Sequence, residues 1–200
     1  MKTKNRTVLV MTEISILSAL SLALDALASA TSGFFFPDGG SIGIAMIPIM
    51  VISFRRGIVA GLTSGFIVGM IQVLWGGHFL EFTQYILDYP VAYTVVGLAG
   101  IFTYLNNRRL TVLNVIMGSI FAGLMRYLSH FFAGVFFWGE YMQESFDFLS
   151  ISFTGLNVYT YSLVYNGSYM IPTIIINTIV IYVLYKYAKQ IFIQDIRDNI

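Results

Sequence analysis

The chain has 200 residues, of which 57% are hydrophobic and 10% are charged, and its formal net charge is +1. A soluble domain carries roughly a quarter of charged residues, so this composition excludes a soluble globular protein and favours one that faces lipid. The chain also lacks the clustered basic surface that nucleic-acid binding requires. There is no cysteine and there are two histidines, which excludes disulfides and thiolate metal sites, and no cofactor is expected.

Apolar segments of membrane-spanning length recur along the chain. A spanning helix needs about 20 apolar residues, so the chain has room for about six spans with short connections. We therefore expect an all-α bundle of six transmembrane helices, in a single membrane domain that covers residues 1–200. The expected helices cover residues 8–30, 41–54, 57–75, 83–105, 110–137 and 168–191.

The first of these segments shares features with a secretory signal peptide. Basic residues precede an apolar run that ends in Ala28-Ser29-Ala30. Against cleavage, Glu13 and Asp25 interrupt the run, and the run is long enough to cross a bilayer. We interpret the segment as the first helix and place both acidic side chains near the membrane interfaces.

Basic residues indicate the orientation. The loops around Asp38 and Glu81, and the stretch 140–147, contain no lysine or arginine. Ten of the 11 basic residues fall at the opposite ends of the expected spans. Because basic loops stay on the cytoplasmic side, both termini are predicted to be cytoplasmic. The basic residues concerned are Lys2, Lys4, Arg6, Arg55, Arg56, Arg108, Arg109, Lys186, Lys189 and Arg197.

The remaining basic residue, Arg126, lies within the fifth expected helix. Steps of four residues place it on one face with His130, Gly134 and Trp138. Ionisable groups inside a span usually face the bundle interior or a watery cavity, and glycine would leave space there for a flat ligand. A packed helix whose arginine makes a structural ion pair is the alternative, and spacing alone does not separate the two.

The fourth expected helix supplies a carboxylate, Asp88, which shares a face with Gln84 and follows Tyr85. Pro90 can free a backbone carbonyl, which is tolerated where a helix lines a cavity. A buried carboxylate beside aromatic rings suits an organic cation. The structural alternative is a salt bridge from Asp88 to Arg126, and both interpretations can hold together.

The long connection before the sixth expected helix ends in tyrosines and Asn166. Tyrosines are common at membrane interfaces, and for most of them that is the preferred interpretation. An amide among apolar residues usually bonds a specific partner, although capping of the following helix is an alternative for Asn166.

Small residues recur every four positions on the first expected helix, at Ser15, Ala19 and Ala23. This spacing lets another helix approach closely, either within this chain or from a partner. The sequence contains no P-loop, and no G-x-S-x-G or H-E-x-x-H signature in a plausible setting. The chain therefore does not bind ATP through a P-loop and is not expected to be an enzyme.

Four segments, in order, resemble the thiamine-specific substrate-binding subunits (S components) of energy-coupling factor transporters. The resemblance covers essentially the full length and implies a six-helix bundle in a bacterial plasma membrane, with a thiamine pocket near the outer surface. It also implies partners, namely a transmembrane coupling subunit and two cytoplasmic ATPases that supply the energy. The segments are 53–57 (SFRRG), 86–89 (ILDY), 130–138 (HFFAGVFFW) and 161–167 (YSLVYNG).

The same resemblance implies residue roles. It places His130, Trp138, Tyr161 and Asn166 in the thiamine pocket, and Asp88 stands where the family usually has glutamate. It implies that Ser15 and Ala19 form the docking motif for the coupling subunit, with serine in place of the usual alanine. Further candidates for the pocket are Tyr85, Arg126, Phe36, His78 and Phe79.

These roles suit the chemistry of thiamine. His130, Asn166 and Asp88 would pair with the polar edge of the aminopyrimidine, and Asp88 would also neutralise the thiazolium. Trp138 and Tyr161 would stack on the ring faces. We further expect Arg126 to orient Asp88 rather than to contact a cationic ligand.

Three other functions remain open at this stage. An S component for another vitamin or for a thiamine precursor would share the architecture. A stand-alone secondary transporter is disfavoured because the paired broken helices of inverted repeats are missing. A membrane enzyme that uses Asp88 and His130 as acid and base would need a motif that the sequence does not contain.

Overall fold

A computed structural model of the chain describes residues 2–36, 39–72, 74, 81–106, 109–138, 145–148 and 151–192. It gives the backbone alone at residues 2–5, 138, 145, 146 and 148. The fold is built on helices, together with one antiparallel hairpin. The elements are α1 (Lys2–Ser32), α2 (Met46–Arg56), α3 (Ile58–Gln72), α4 (Phe82–Leu105), α5 (Val112–Ala133), β1 (Ser145–Phe148), β2 (Ile151–Thr154) and α6 (Val158–Tyr187).

Four of these helices, α1, α4, α5 and α6, are long and apolar enough to cross a membrane. The helices α2 and α3 have 11 and 15 residues, fewer than the roughly 20 of a full span. Every residue of α2 from Met46 to Phe54 is buried, so this helix packs behind its neighbours. The protein is a multi-pass membrane protein with the expected helical fold, to which the structure adds the small hairpin.

Helix α1 has two different faces. Its buried residues recur every three or four positions, the period of one helix face, and this face packs on α2 and α3. Ser15, Ala19 and Ala23 are all exposed on the other side. The small-residue stripe is therefore not used for packing within the described part of the chain. The buried face comprises Ile14, Ser18, Ser21, Asp25 and Ala28.

A row of glycines lets α3 lie against α4 with the two backbones in contact. Gly61, Gly65 and Gly69 are four residues apart, so they share one face. A Cβ atom at Gly65 would lie 2.1 Å from the carbonyl oxygen of Tyr93. At Gly69 it would lie 2.5 Å from the carbonyl oxygen of Tyr89. Only glycine permits this approach, which is the small-residue packing typical of membrane helices.

Gly65→Ala is expected to destabilise the protein by about 1–3 kcal/mol, because the added methyl group meets a backbone atom that cannot rotate away. The melting temperature of the purified protein in detergent measures this effect. Val59→Ala is the matched control, since that side chain on the same helix is 78% exposed. An unchanged melting temperature for Gly65→Ala would contradict the contact between α3 and α4.

Proline interrupts α4 in its first half. Leu87–Val91 form a π-helical turn that contains Pro90, and proline cannot donate the hydrogen bond that a regular helix needs there. The hydroxyl of Ser129 on α5 donates to the carbonyl oxygen of Leu87 at 2.7 Å. The widened turn carries Asp88, so the irregular backbone lies at the candidate site, as expected from Pro90.

The sequence-based start of the last helix, residue 168, is wrong by ten positions. Helix α6 begins at Val158 because Asn157 caps it: its side chain accepts from the backbone N–H groups of Tyr159 and Thr160. The Thr160 side chain accepts in turn from the backbone N–H of Asn157, which completes a capping box. Asn166 therefore lies inside the helix and is not its cap.

Ion pairs join the helices at the end of the bundle where α1 begins and α6 ends. Glu13 on α1 accepts hydrogen bonds from Arg55 at 3.1 Å and from Arg56 at 2.6 Å. Arg55 also donates to the backbone carbonyl of Ile191 at 3.1 Å, just after α6. Glu13 is thus a structural partner of the α2 arginines rather than an isolated interfacial charge.

Candidate functional site

The carboxylate of Asp88 is held by residues from two helices. On α4, Gln84 donates from its amide nitrogen to Asp88 Oδ2 at 3.2 Å. From α5, His130 Nδ1 lies 3.0 Å from Asp88 Oδ1. The Asp88 side chain keeps 16% of its surface exposed, so it is fixed in position but still accessible to a ligand.

His130 is buried, and only one of its two ring nitrogens contacts Asp88. With Asp88 ionised, Nδ1 carries the proton and donates to the carboxylate, which leaves Nε2 as an acceptor. Nε2 is buried and has no hydrogen-bond partner among the described residues. A buried polar atom without a partner is costly, so this atom is suited to accept a hydrogen bond from a ligand.

Arg126 does not pair with Asp88. Its guanidinium lies 4.1 Å from the centre of the Tyr93 ring on α4, a cation–π contact. Its Nε atom is buried without a partner in the described part of the chain. The expectation that Arg126 orients Asp88 is therefore wrong, because His130 and Gln84 occupy the carboxylate instead. Arg126 and His130 share a face of α5 but meet different partners across it.

Asn166 links α6 to the back of the same site. Its amide nitrogen donates to the carbonyl oxygen of Ser162 at 2.9 Å and to that of His130 at 3.3 Å. Its Oδ1 accepts from the hydroxyl of Tyr169 at 2.5 Å. The Tyr169 ring in turn meets the His130 ring edge-on at 5.8 Å. In this arrangement Asn166 positions His130 and Tyr169.

An aromatic cluster adjoins this network. Tyr161 and Tyr165 stack at 5.7 Å on one face of α6, and Phe36 meets Tyr169 edge-on at 5.4 Å. Phe36 and Tyr161 are both buried. Phe153 of the hairpin packs against the same cluster. Ring faces and edges of this kind suit a flat, partly cationic ligand.

Gly134 has a different role from the one expected. A Cβ atom there would lie 2.2 Å from the hydroxyl oxygen of Ser162 on α6, so the missing side chain admits α6 rather than a ligand. The hydroxyl of Ser162 also donates to the carbonyl oxygen of Phe131 at 2.8 Å. Gly134 is thus a contact point between α5 and α6.

The structure describes only some of the remaining candidates. Tyr85 is buried, and its hydroxyl donates to the carbonyl oxygen of Met70 on α3 at 3.0 Å. The backbone of Trp138 ends a π-helical turn that begins at Gly134, and its side chain lies outside the description. His78 and Phe79 lie outside the described residues.

Asp25 belongs to a buried polar cluster that the sequence did not indicate. Its carboxylate accepts hydrogen bonds from the side-chain amide of Gln72 on α3 and from the hydroxyl of Tyr93 on α4. Asp25 is 7% exposed, so the expectation of an interfacial side chain is wrong. A carboxylate interrupting an apolar run is itself a signal of a functional or paired site.

A small cavity of about 10 Å³, room for about one water molecule, lies between α1, α5 and α6, and Asp25, Arg126 and Thr173 line it. Arg126 is one helical turn before His130 on α5, and Thr173 is one turn after Tyr169 on α6. The cavity thus lies one turn below the Asp88–His130 pair, on the side away from the aromatic cluster. An acidic and a basic side chain, Asp25 and Arg126, thus both face it.

Comparison with known proteins identifies the family. Residues 11–193 match the thiamine transporter protein family (Thia_YuaJ). The chain belongs to this family. The resemblance seen in the sequence is thereby confirmed, and the match covers every described residue of the candidate site.

Individual relatives in the thiamine transporter family agree. The thiamine transporter ThiT of Bacillus subtilis is 34% identical over 193 residues, which cover 92% of this chain and 93% of that protein. ThiT of Lacticaseibacillus paracasei is 30% identical over 201 residues, covering 95% and 93% of the two chains. The solved structure of ThiT from Listeria monocytogenes has a TM-score of 0.74 at 26% identity, covering 94% of this chain and 100% of that one.

Proposed function

We propose that this protein is the thiamine-binding S component of an energy-coupling factor importer. It captures thiamine at the outer face and passes it inward with an ATP-driven module. One observation carries the proposal: in a chain of the thiamine transporter family, an accessible carboxylate is held beside a histidine with a free ring nitrogen. Coulomb attraction and aromatic contacts at this place suit an organic cation that also offers hydrogen-bond donors.

Within this proposal each side chain has a role. Asp88 neutralises the thiazolium and accepts from the aminopyrimidine, and His130 Nε2 accepts a further donor. Tyr161 and Trp138 stack on the rings, with Phe36, Tyr85 and His78 as further wall residues. Asn166 acts through His130 and Tyr169, as its hydrogen bonds to both residues suggest.

The proposed topology has six crossings with both termini in the cytoplasm. Contacts at one end of the bundle support it. Arg55 bonds the backbone after α6, the hydroxyl of Tyr185 donates to the carbonyl of Leu110, and Lys189 lies over the Tyr185 ring. These contacts gather basic residues at the end where the positive-inside rule predicts the cytoplasm.

The proposed partners are a transmembrane coupling subunit and two cytoplasmic ATPases. The exposed stripe of Ser15, Ala19 and Ala23 on α1 supports this part, since it offers a small-residue surface for another helix. The chain itself carries no P-loop, so the energy of ATP must come from other subunits in this scheme.

Uptake of labelled thiamine by a thiamine-auxotrophic bacterium tests the proposal. The strain lacks its own thiamine importer and expresses this chain with or without a coupling subunit and the ATPases. We expect uptake only when all subunits are present. Uptake by this chain alone would contradict the proposal and would indicate a stand-alone secondary transporter.

A further inference from the structure

The cavity beside the Asp88–His130 pair brings together an acidic and a basic side chain. The proposed mode of thiamine binding assigns no role to either of them. Asp25 reaches it from α1 and Arg126 from α5. Among the described residues these two do not form a direct ion pair. They are instead joined through Tyr93, whose hydroxyl donates to Asp25 and whose ring lies beneath Arg126.

The formal charges of the described side chains around the site sum to one negative charge. Asp88 and Asp25 each count as one negative charge, Arg126 counts as one positive charge, and His130 counts as neutral. The described side chains thus leave one net negative charge, which a monocation neutralises. Without Asp25, the charge of Arg126 would cancel that of Asp88, and in a low-dielectric bundle such a change acts over several ångströms.

We propose that Asp25 determines the charge specificity of the site. By offsetting Arg126, it preserves the attraction of Asp88 for cationic thiamine and disfavours its phosphate esters, which carry added negative charge. This inference rests on the proposed thiamine-binding function and assigns a specificity residue within it. The cavity holds only about one water molecule, so Asp25 and Arg126 in its wall act on a ligand at the neighbouring Asp88 through their charges and not by contact.

Binding of thiamine and of thiamine monophosphate to four purified proteins tests the proposal. They are the wild type, Asp25→Asn, Arg126→Gln and the double variant. Asparagine keeps the shape of Asp25 and an acceptor for Tyr93, so the change is mainly one of charge. We expect Asp25→Asn to weaken thiamine binding on the order of tenfold and to reduce the preference for thiamine over its monophosphate.

Arg126→Gln is expected to increase the preference for thiamine, because it removes the positive charge. The double variant should regain much of the wild-type preference, since it restores the net charge. A merely structural role for Asp25 predicts no such recovery, so a double variant as impaired as Asp25→Asn would overturn the proposal.

The ratio of the affinities for thiamine and thiamine monophosphate tests the role of Asp25 separately from thiamine binding itself. A wild type that binds neither ligand would overturn the thiamine assignment and this inference with it. A wild type that binds thiamine, with the same affinity ratio in all variants, would overturn only the role of Asp25. If Asp25→Asn does not fold, Arg126→Gln still decides: an unchanged ratio in that variant contradicts the proposal.

Discussion

Asp88→Asn is expected to weaken thiamine binding by at least about thirtyfold. Asparagine keeps the size of the side chain but removes the charge that attracts the thiazolium. Losing one member of a buried, hydrogen-bonded charge contact costs about 2–5 kcal/mol, and each 1.4 kcal/mol is about a tenfold change in affinity. Titration of the detergent-purified variant with thiamine, followed by tryptophan fluorescence, measures the loss.

Glu81→Gln is the matched control for this prediction. Glu81 precedes α4 on the same side of the bundle and is exposed, so removing its charge should change the affinity by no more than about twofold. Equal losses in the two variants would show that general surface charge attracts the ligand. Unchanged binding by Asp88→Asn would remove Asp88 from the site altogether.

Ala19→Trp is expected to abolish thiamine uptake while leaving thiamine binding by the isolated chain unchanged. Ala19 is exposed on α1, so a large side chain there contacts no part of the candidate site. It would, however, hold a partner helix away from the small-residue stripe. The measurements are uptake by cells that express all subunits, co-purification with the coupling subunit, and thiamine titration of the isolated variant.

Leu20→Trp is the matched control for the docking prediction. Leu20 is the next residue along α1 and is 47% exposed, and the change replaces one large apolar side chain with another. It should support uptake close to that of the wild type. Loss of thiamine binding by isolated Ala19→Trp would show that the stripe packs within the chain and is not a docking surface.

Hydropathy predicted the helices well because a helix that faces lipid must be apolar along its whole length. The positions of α3, α4 and α5 agree with expectation to within a few residues. The start of α6 did not, since the tyrosines and Asn166 before residue 168 were interpreted as the end of a long connection, where the structure has a helix. The cap at Asn157 was the signal that could have placed the start correctly.

The site was predictable one helix at a time but not across helices. An ionisable side chain within a span pointed to Asp88, His130 and Arg126, and the first two are in contact. Spacing along a helix assigns a face and leaves the partner on the next helix open. The Asp88–Arg126 pairing was therefore wrong, and the link from Asp25 to Tyr93 was missed.

Glycine illustrates the same limit. Gly134 was expected to make room for a ligand, but the structure places Ser162 against it. In contrast, the four-residue repeat of Gly61, Gly65 and Gly69 did mark a helix contact that sequence reasoning overlooked. A missing side chain shows where something approaches, and only the fold shows what it is.

Direct binding of thiamine to the purified wild-type chain tests the central claim most directly. The protein in detergent is titrated with thiamine and, separately, with riboflavin, and the heat of binding or the change in tryptophan fluorescence is followed. We predict saturable binding of one thiamine per chain and no response to riboflavin. A folded sample that fails to bind thiamine would contradict the account.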